Sequence, residues 1–191
     1  MIDKISGASY FDPLPKNRLL LEKKFAPLDK SLIWNLNNFF WQNTSLWEKT
    51  YGQHYEKSLP TGISSSHEPD FVKKSTEHFF NFLVNLKNRK LLPQKIIVLE
   101  QGPGTGLYAK QFLDYLKNFS TSEYSFYDNL TFILSDSSSE LLAGAQKLLA
   151  DHQKHLVIHH QKKHHDLPFK YKGQILFARS GNLWDQLPCR L

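Results

Sequence analysis

The sequence predicts an α/β protein, a parallel sheet with crossover helices preceded by an aromatic helical extension. Three observations predict it. Four short apolar runs, IIVLE, TFILS, HLVIHH and QILFAR, follow one another from residue 96 onward. Segments of helical period stand between the first three. The first run is continuous and rich in β-branched residues up to Glu100, instead of alternating, as in a strand buried on both faces of a parallel sheet.

Each element has its own justification. The first 20 or so residues are irregular and contain Pro13 and Pro15. From Asp29, a candidate N-cap, Leu32, Leu36, Phe39, Phe40, Trp47 and Tyr51 recur at helical spacing. The aromatic residues Trp34, Phe39, Phe40, Trp41 and Trp47 read chiefly as core, with a lid lining as the alternative. KSLPTGISSSHEP, residues 57–69, is a loop by composition. Asp70 is placed to cap a second aromatic helix carrying Phe71, Phe79, Phe82, Leu83 and Leu86. Pro93 ends it, so residues 1–92 read as a helical N-terminal region or lid and residues 93–191 as the sheet domain. There the expected order is strand Ile96–Glu100, a helix to about Asn118, strand Thr131–Ser135, a helix over Ser138–Ala150, then strands His155–His160 and Gln174–Arg179.

Bulk properties exclude several classes. A chain of 191 residues can bury a sizeable core, and 40% hydrophobic against 22% charged residues is wrong for disorder. No apolar run approaches the roughly 20 residues that span a bilayer, and the N-terminus lacks an apolar signal-peptide core. Cys189 is the only cysteine, which excludes an intramolecular disulfide and fits a reducing, cytoplasmic setting. The net charge of +6 is spread from Lys4 to Arg190, with only short pairs such as Lys73-Lys74. This reads chiefly as a dispersed basic surface, with a patch for nucleic acid or another anionic surface as the weaker alternative.

The most informative stretch is VLEQGPGTGLYAKQFL, Val98 to Leu113. A P-loop needs G-x-x-x-x-G-K-[ST], and no lysine stands in that position. The dinucleotide fingerprint fits only as Gly104, Gly106 and Ala109, which strands Gly102 and Pro103 between strand and first glycine. The better register is Gly102, Gly104 and Gly106, preceded by Glu100 as the last residue of the apolar run. Glycine lets a backbone approach a ligand closely because no Cβ intervenes. This E-x-G-P-G-T-G pattern after an apolar strand resembles motif I of the class I S-adenosylmethionine-dependent methyltransferases, which have a Rossmann-like fold.

The resemblance implies S-adenosylmethionine as cofactor. Glu100 would hold the donor's amino group, Gly102, Gly104 and Gly106 would give close backbone approach, and Asp136 with Ser137 would lie at the ribose. An acid ending the second strand serves the ribose in dinucleotide folds as well, so by itself it does not discriminate. It also reads as a cap of the next helix. Its separation of 30 positions from Gly106 exceeds the about 20 of a dinucleotide fold. Asp166, after the third strand, stands where the family keeps a residue near the adenine, and equally reads as an ordinary loop acid.

The segment ARSGNLWDQLPCRL, Ala178 to Leu191, is similar to the post-strand motif of MidA-like methyltransferases, the family that includes an arginine-methylating factor of mitochondrial complex I assembly. Asp185, Leu187 and Pro188 fit its N-E-x-x-D-A-L-P pattern, and the Ser-Ser-Glu-Leu run with Gln146 and the upstream YGQHY are also similar. The pattern's Asn-Glu pair falls on Gly181 and Asn182, so its acidic residue is absent. The resemblance implies a seven-stranded sheet, of which this sequence contains four strands. A truncated chain, completed by another chain or lacking the acceptor half, is therefore expected.

The remaining constellations add little. HHQKKHHD, His159 to Asp166, reads as a basic loop, and neither metal nor nucleophile-elbow spacing is present, so no metal is expected. No residue stands out as a general base; Asn182 and Asp185 lie where an acceptor should approach. The expected function is methyl transfer to an unidentified acceptor, with a protein side chain or a completing chain as the partner and no membrane. A non-catalytic binding or assembly module derived from a methyltransferase is the alternative. A dinucleotide-dependent oxidoreductase is the third reading.

Overall fold

The computed structural model describes residues 27, 30–53, 64–161, 169–171 and 173–181. The N-terminal helices are α1 (Leu32–Gln42), α2 (Thr44–Tyr51) and α3 (Pro69–Asn88). The sheet domain follows as β1 (Ile96–Gln101), α4 (Leu107–Phe119), β2 (Leu130–Asp136), α5 (Ser139–Leu148), β3 (Leu156–His160) and β4 (Ile175–Ser180). All three strand pairings are parallel and the order is β3-β2-β1-β4. The predicted α/β, Rossmann-like fold class is therefore the observed one.

Local chemistry moves several predicted boundaries. The aromatic run from Leu32 to Tyr51 is two helices, because Asn43 leaves the helical region at φ −128° and its Nδ2 donates to the Phe39 carbonyl. Asp29 lies outside the described residues, and the cap of α1 is Ser31, whose hydroxyl accepts from Trp34 N at 3.1 Å. Asp70 does not cap α3. Pro69 occupies the first turn, where its missing N–H costs nothing, and Asp70 follows it as a first-turn acid. Before the third strand, a 3₁₀ turn over Ala150–His155 takes up His155.

The core lies on one face of the sheet. Ile96, Val98, Phe132 and Leu134 point to α3, α4 and α5, which contribute Val72, Phe79, Leu83, Tyr108, Phe112, Leu116, Leu142 and Ala145. Phe112 stands at its centre, with ring contacts to Phe79 at 5.5 Å, Phe132 at 5.6 Å and Phe177 at 6.2 Å. Helix α3 thus shares one hydrophobic core with the sheet. On the opposite face, Ile97, Leu99 and Ile133 form a small buried cluster with Val157, Tyr171 and Ile175 packed against it. The N-terminal aromatics divide. Trp34 is buried, Phe40 and Trp41 meet edge to face at 5.1 Å, and Phe39 is 59% exposed. Among the described residues no helix is long and apolar enough to cross a membrane.

At the amino ends of the strands, a polar relay ties three elements together. The Tyr127 hydroxyl lies 2.7 Å from His152 Nδ1, and His152 Nε2 lies 3.0 Å from Asp114 Oδ1 on α4. Asp114 also accepts from Lys110 Nζ at 2.8 Å. His152 is 1% exposed, so its ring nitrogens depend on these partners. Tyr127→Phe is expected to lower stability by about 1–3 kcal/mol, the usual cost of leaving one buried polar atom unpaired. Urea denaturation measures it, and a loss under about 0.3 kcal/mol would show that the relay does not fasten these elements.

Candidate functional site

The site lies where the strand order reverses. β1 leads through α4 to β2 and on to β3 in one direction, whereas β4 returns to the other side of β1. In open parallel sheets the carboxyl ends beside such a switch form a crevice, and ligands bind there. The glycine loop leaves β1 at this point.

Its backbone explains the glycines. Gly102, Gly104 and Gly106 have φ of 65°, 54° and 81°, the left-handed region that side chains disfavour. Gly102 N donates to the Ser135 carbonyl at 2.9 Å and ties the loop to β2. Gly106 N donates to the Pro103 carbonyl at 2.9 Å and opens α4. The bareness of Gly106 also serves packing, since a Cβ there would come within 2.7 Å of Ala145 Cβ on α5.

Glu100 and Gln101 close β1 on opposite faces. Glu100 is wholly buried, and Arg179 on β4, its register partner, donates Nη1 to Oε1. The other oxygen, Oε2, has no hydrogen-bond partner among the described residues. Burial pushes the Glu100 carboxyl up to about 7, against the opposing pull of the Arg179 charge and hydrogen bond. The Arg179 guanidinium lies 3.6 Å from the centre of the Tyr108 ring, and its Nη2 donates to the Ser66 carbonyl at 3.2 Å. Tyr108 shares a 2.9 Å hydrogen bond with Ser75 on α3. On the other face, the Ser180 hydroxyl donates to Gln101 Oε1 at 3.2 Å.

Asp136 ends β2 beside the glycine loop. Its Oδ1 accepts from Ser138 N at 2.8 Å, while Ser138 caps α5 through Leu141 N. Asp136 therefore fastens the turn into α5, and Ser138 is the cap. Desolvation raises its pKa, opposed by the N–H groups of Ser138 and Ser137 and by His160. Ser137 is exposed, and its carbonyl meets His160 Nε2 at 2.9 Å. His159 instead meets the Ser135 hydroxyl through Nδ1 at 2.8 Å, so the two neighbouring histidines take separate partners. Gln161 Nε2 also donates to that hydroxyl at 2.9 Å.

The structure thus brings Glu100, Gly102, Gly104, Gly106, Asp136 and Ser137 to one edge of the sheet. Asp166, Asn182 and Asp185 lie outside the described residues. Sequence reasoning missed Arg179 and Gln161. The signal for Arg179 was in the sequence, as a cation ending one apolar strand where an acid ends another.

A family model described as "Putative S-adenosyl-L-methionine-dependent methyltransferase" matches residues 78–191. The chain belongs to this methyltransferase family. The match begins within α3 and covers the rest of that helix, the whole sheet and the glycine loop. Among solved structures, the crystal structure of the DszA carbon methyltransferase is similar to this methyltransferase-family chain at 19% identity and a TM-score of 0.41. The similarity covers 65% of this chain and 29% of that one. Among curated proteins, none matches.

Proposed function

We propose that this chain binds S-adenosylmethionine at the carboxyl ends of β1 and β2 and provides the donor site of a methyltransferase. One observation carries the reading most directly. A buried, unpartnered carboxylate oxygen on Glu100 stands beside three left-handed glycines at the switch point of a parallel sheet. The methyl donor carries an ammonium group that suits such an acid, and it has no pyrophosphate that would require an anion cradle. Gly102 and Gly104 allow close backbone approach, and Asp136 is placed to accept from ribose hydroxyls. Ser137 lies beside it, and Asp166 remains our candidate near the adenine.

The bound donor supplies an electrophilic methyl group, displaced in line from a sulfonium. The chain supplies orientation and exclusion of water, which is where its contribution to rate would come from. The finer assignment to the MidA-like subfamily, with a protein side chain as acceptor, rests on Asp185, Leu187 and Pro188. A cytoplasmic setting rests on the single Cys189. The alternative is a binding or assembly module that keeps the donor pocket without transfer, favoured by Gly181 and Asn182 standing where the related pattern has Asn-Glu.

Isothermal titration with S-adenosylhomocysteine and with NAD tests the reading. Micromolar binding of the sulfur ligand and none of NAD is expected. Asp136→Ala should weaken it about tenfold or more, the loss of two hydrogen bonds to a charged acceptor. Failure of folded protein to bind the sulfur ligand would overturn the reading, and binding without transfer to any acceptor would point to the module.

A further inference from the structure

The Glu100–Arg179 pair is built unlike a saturated core ion pair. Buried charges are normally paired and hydrogen-bonded throughout, because an unfilled position keeps its desolvation cost without return. Here the acid leaves Oε2 without a partner at zero exposure. The base is also incompletely used. A guanidinium carries five N–H donors, and among the described residues Arg179 gives one to Glu100 and one to the Ser66 carbonyl, leaving three. The guanidinium carbon lies 3.6 Å over the centre of the Tyr108 ring, a cation–π contact that helps to hold it in place. The guanidinium packs directly against Gly181, whose lack of a side chain admits it, since a Cβ there would come within 2.7 Å of Nη2. The side chain of Arg179 is 11% exposed, so the pair meets the crevice through its cation.

An unfilled anionic acceptor beside unfilled, planar cationic donors is the complement of an α-amino acid zwitterion. A ligand bearing only an ammonium would displace Arg179 and strand a cation. A zwitterion that enters the pair replaces each partner with a like charge and leaves neither buried charge uncompensated. We propose that Glu100 and Arg179 together receive the amino-acid end of the donor as their ion pair opens, the ammonium at Glu100 and the carboxylate at Arg179. Arg179 is then a donor-binding residue that selects ligands with an intact amino-acid tail. The inference rests on the reading that the chain binds the methyl donor.

Three ligands dissect the tail by titration calorimetry: S-adenosylhomocysteine, decarboxylated S-adenosylmethionine, which keeps the ammonium, and 5′-methylthioadenosine, which has no tail. The natural chain should prefer S-adenosylhomocysteine to the tail-less ligand by about tenfold or more. Arg179→Met should weaken S-adenosylhomocysteine by about tenfold while methylthioadenosine stays within about twofold, and should remove the preference over the decarboxylated ligand. Arg179→Lys should recover only part of the preference, because an ammonium cannot grip a carboxylate in a bidentate fork.

If Arg179→Met fails to fold with Glu100 unpaired, the neutral pair Glu100→Gln/Arg179→Met replaces it. That variant should fold, bind methylthioadenosine normally and show no preference for the tail. Unchanged or tighter S-adenosylhomocysteine binding in Arg179→Met would overturn the proposal and make Arg179 a plug. Equal losses for all three ligands, or failure of the neutral pair to fold, would overturn it in favour of a structural fastening. If the natural chain binds none of the three, the donor reading itself falls.

Discussion

Gly106→Val is expected to destabilise the fold by about 4 kcal/mol or more. Two independent penalties add at this position. The backbone sits at φ 81°, where a side chain costs about 1–2 kcal/mol and a β-branched one more. The new Cβ would also stand 2.7 Å from Ala145 Cβ and 3.1 Å from its Cα. The Cα belongs to the backbone of α5, which cannot turn aside as the tip of a long side chain can. Overpacking of this kind costs about 1–3 kcal/mol, and the valine methyls add to it. For a chain of this size each kcal/mol lowers Tm by about 2–4 °C, so a fall of at least about 8 °C is expected in a thermal melt. A valine variant melting within about 2 °C of the natural chain would show that α4 and α5 are not held this close.

Glu100→Gln should remove a pH dependence worth about 3 kcal/mol. Glu100 has a folded pKa near 7 against an ordinary value of 4.5, and it is wholly buried, so no discount for solvent screening applies. Between those values the folded state holds a proton that the unfolded state has released. Stability therefore falls as pH rises from about 4.5 to about 7, and changes no further above that. The shift of about 2.5 pH units corresponds to about 3 kcal/mol at 1.36 kcal/mol per unit. Among the described residues, the charged and titratable groups against Glu100 are Arg179 from β4 and Tyr108 from α4, whose phenol burial pushes further up. Denaturation of both proteins at pH 5 and pH 8 measures the difference. Glutamine keeps the shape and loses the proton, so between pH 5 and pH 8, which take in most of the window, the variant should gain about 2.5 kcal/mol relative to the natural chain. Parallel profiles would show that Glu100 stays ionised throughout. Arg179→Met removes the Arg179 charge that holds the carboxyl down, so its window should extend to higher pH.

The two predictions concern residues on either side of the glycine turn, one ending β1 and one opening α4, but they differ in how far the sequence revealed them. The strand β1, the glycine turn and α4 were legible because their signals are local. An unbroken β-branched run, glycines that tolerate positive φ, and apolar residues at helical spacing all lie within about 20 positions. The acid at the end of β2 was legible for the same reason. Boundaries were less so where side chains competed with the backbone, as at Asn43, where its own amide bond to Phe39 broke a continuous aromatic pattern into α1 and α2.

What the sequence by itself determined is the class of fold and the placing of a glycine-rich turn, with its flanking acids, at the carboxyl edge of a parallel sheet. Only the tertiary structure decided what those acids meet. Arg179 lies 79 positions from Glu100 and faces it because β4 lands beside β1 with Glu100 and Arg179 in register, and a register slip of one residue would turn Arg179 to the other face. Ala145 meets Gly106, and His152 joins Tyr127 to Asp114, through packing between elements that no local pattern encodes. Periodicity and turn chemistry act within one element. The pairing of charges and the closeness of helices arise only when several elements share one core.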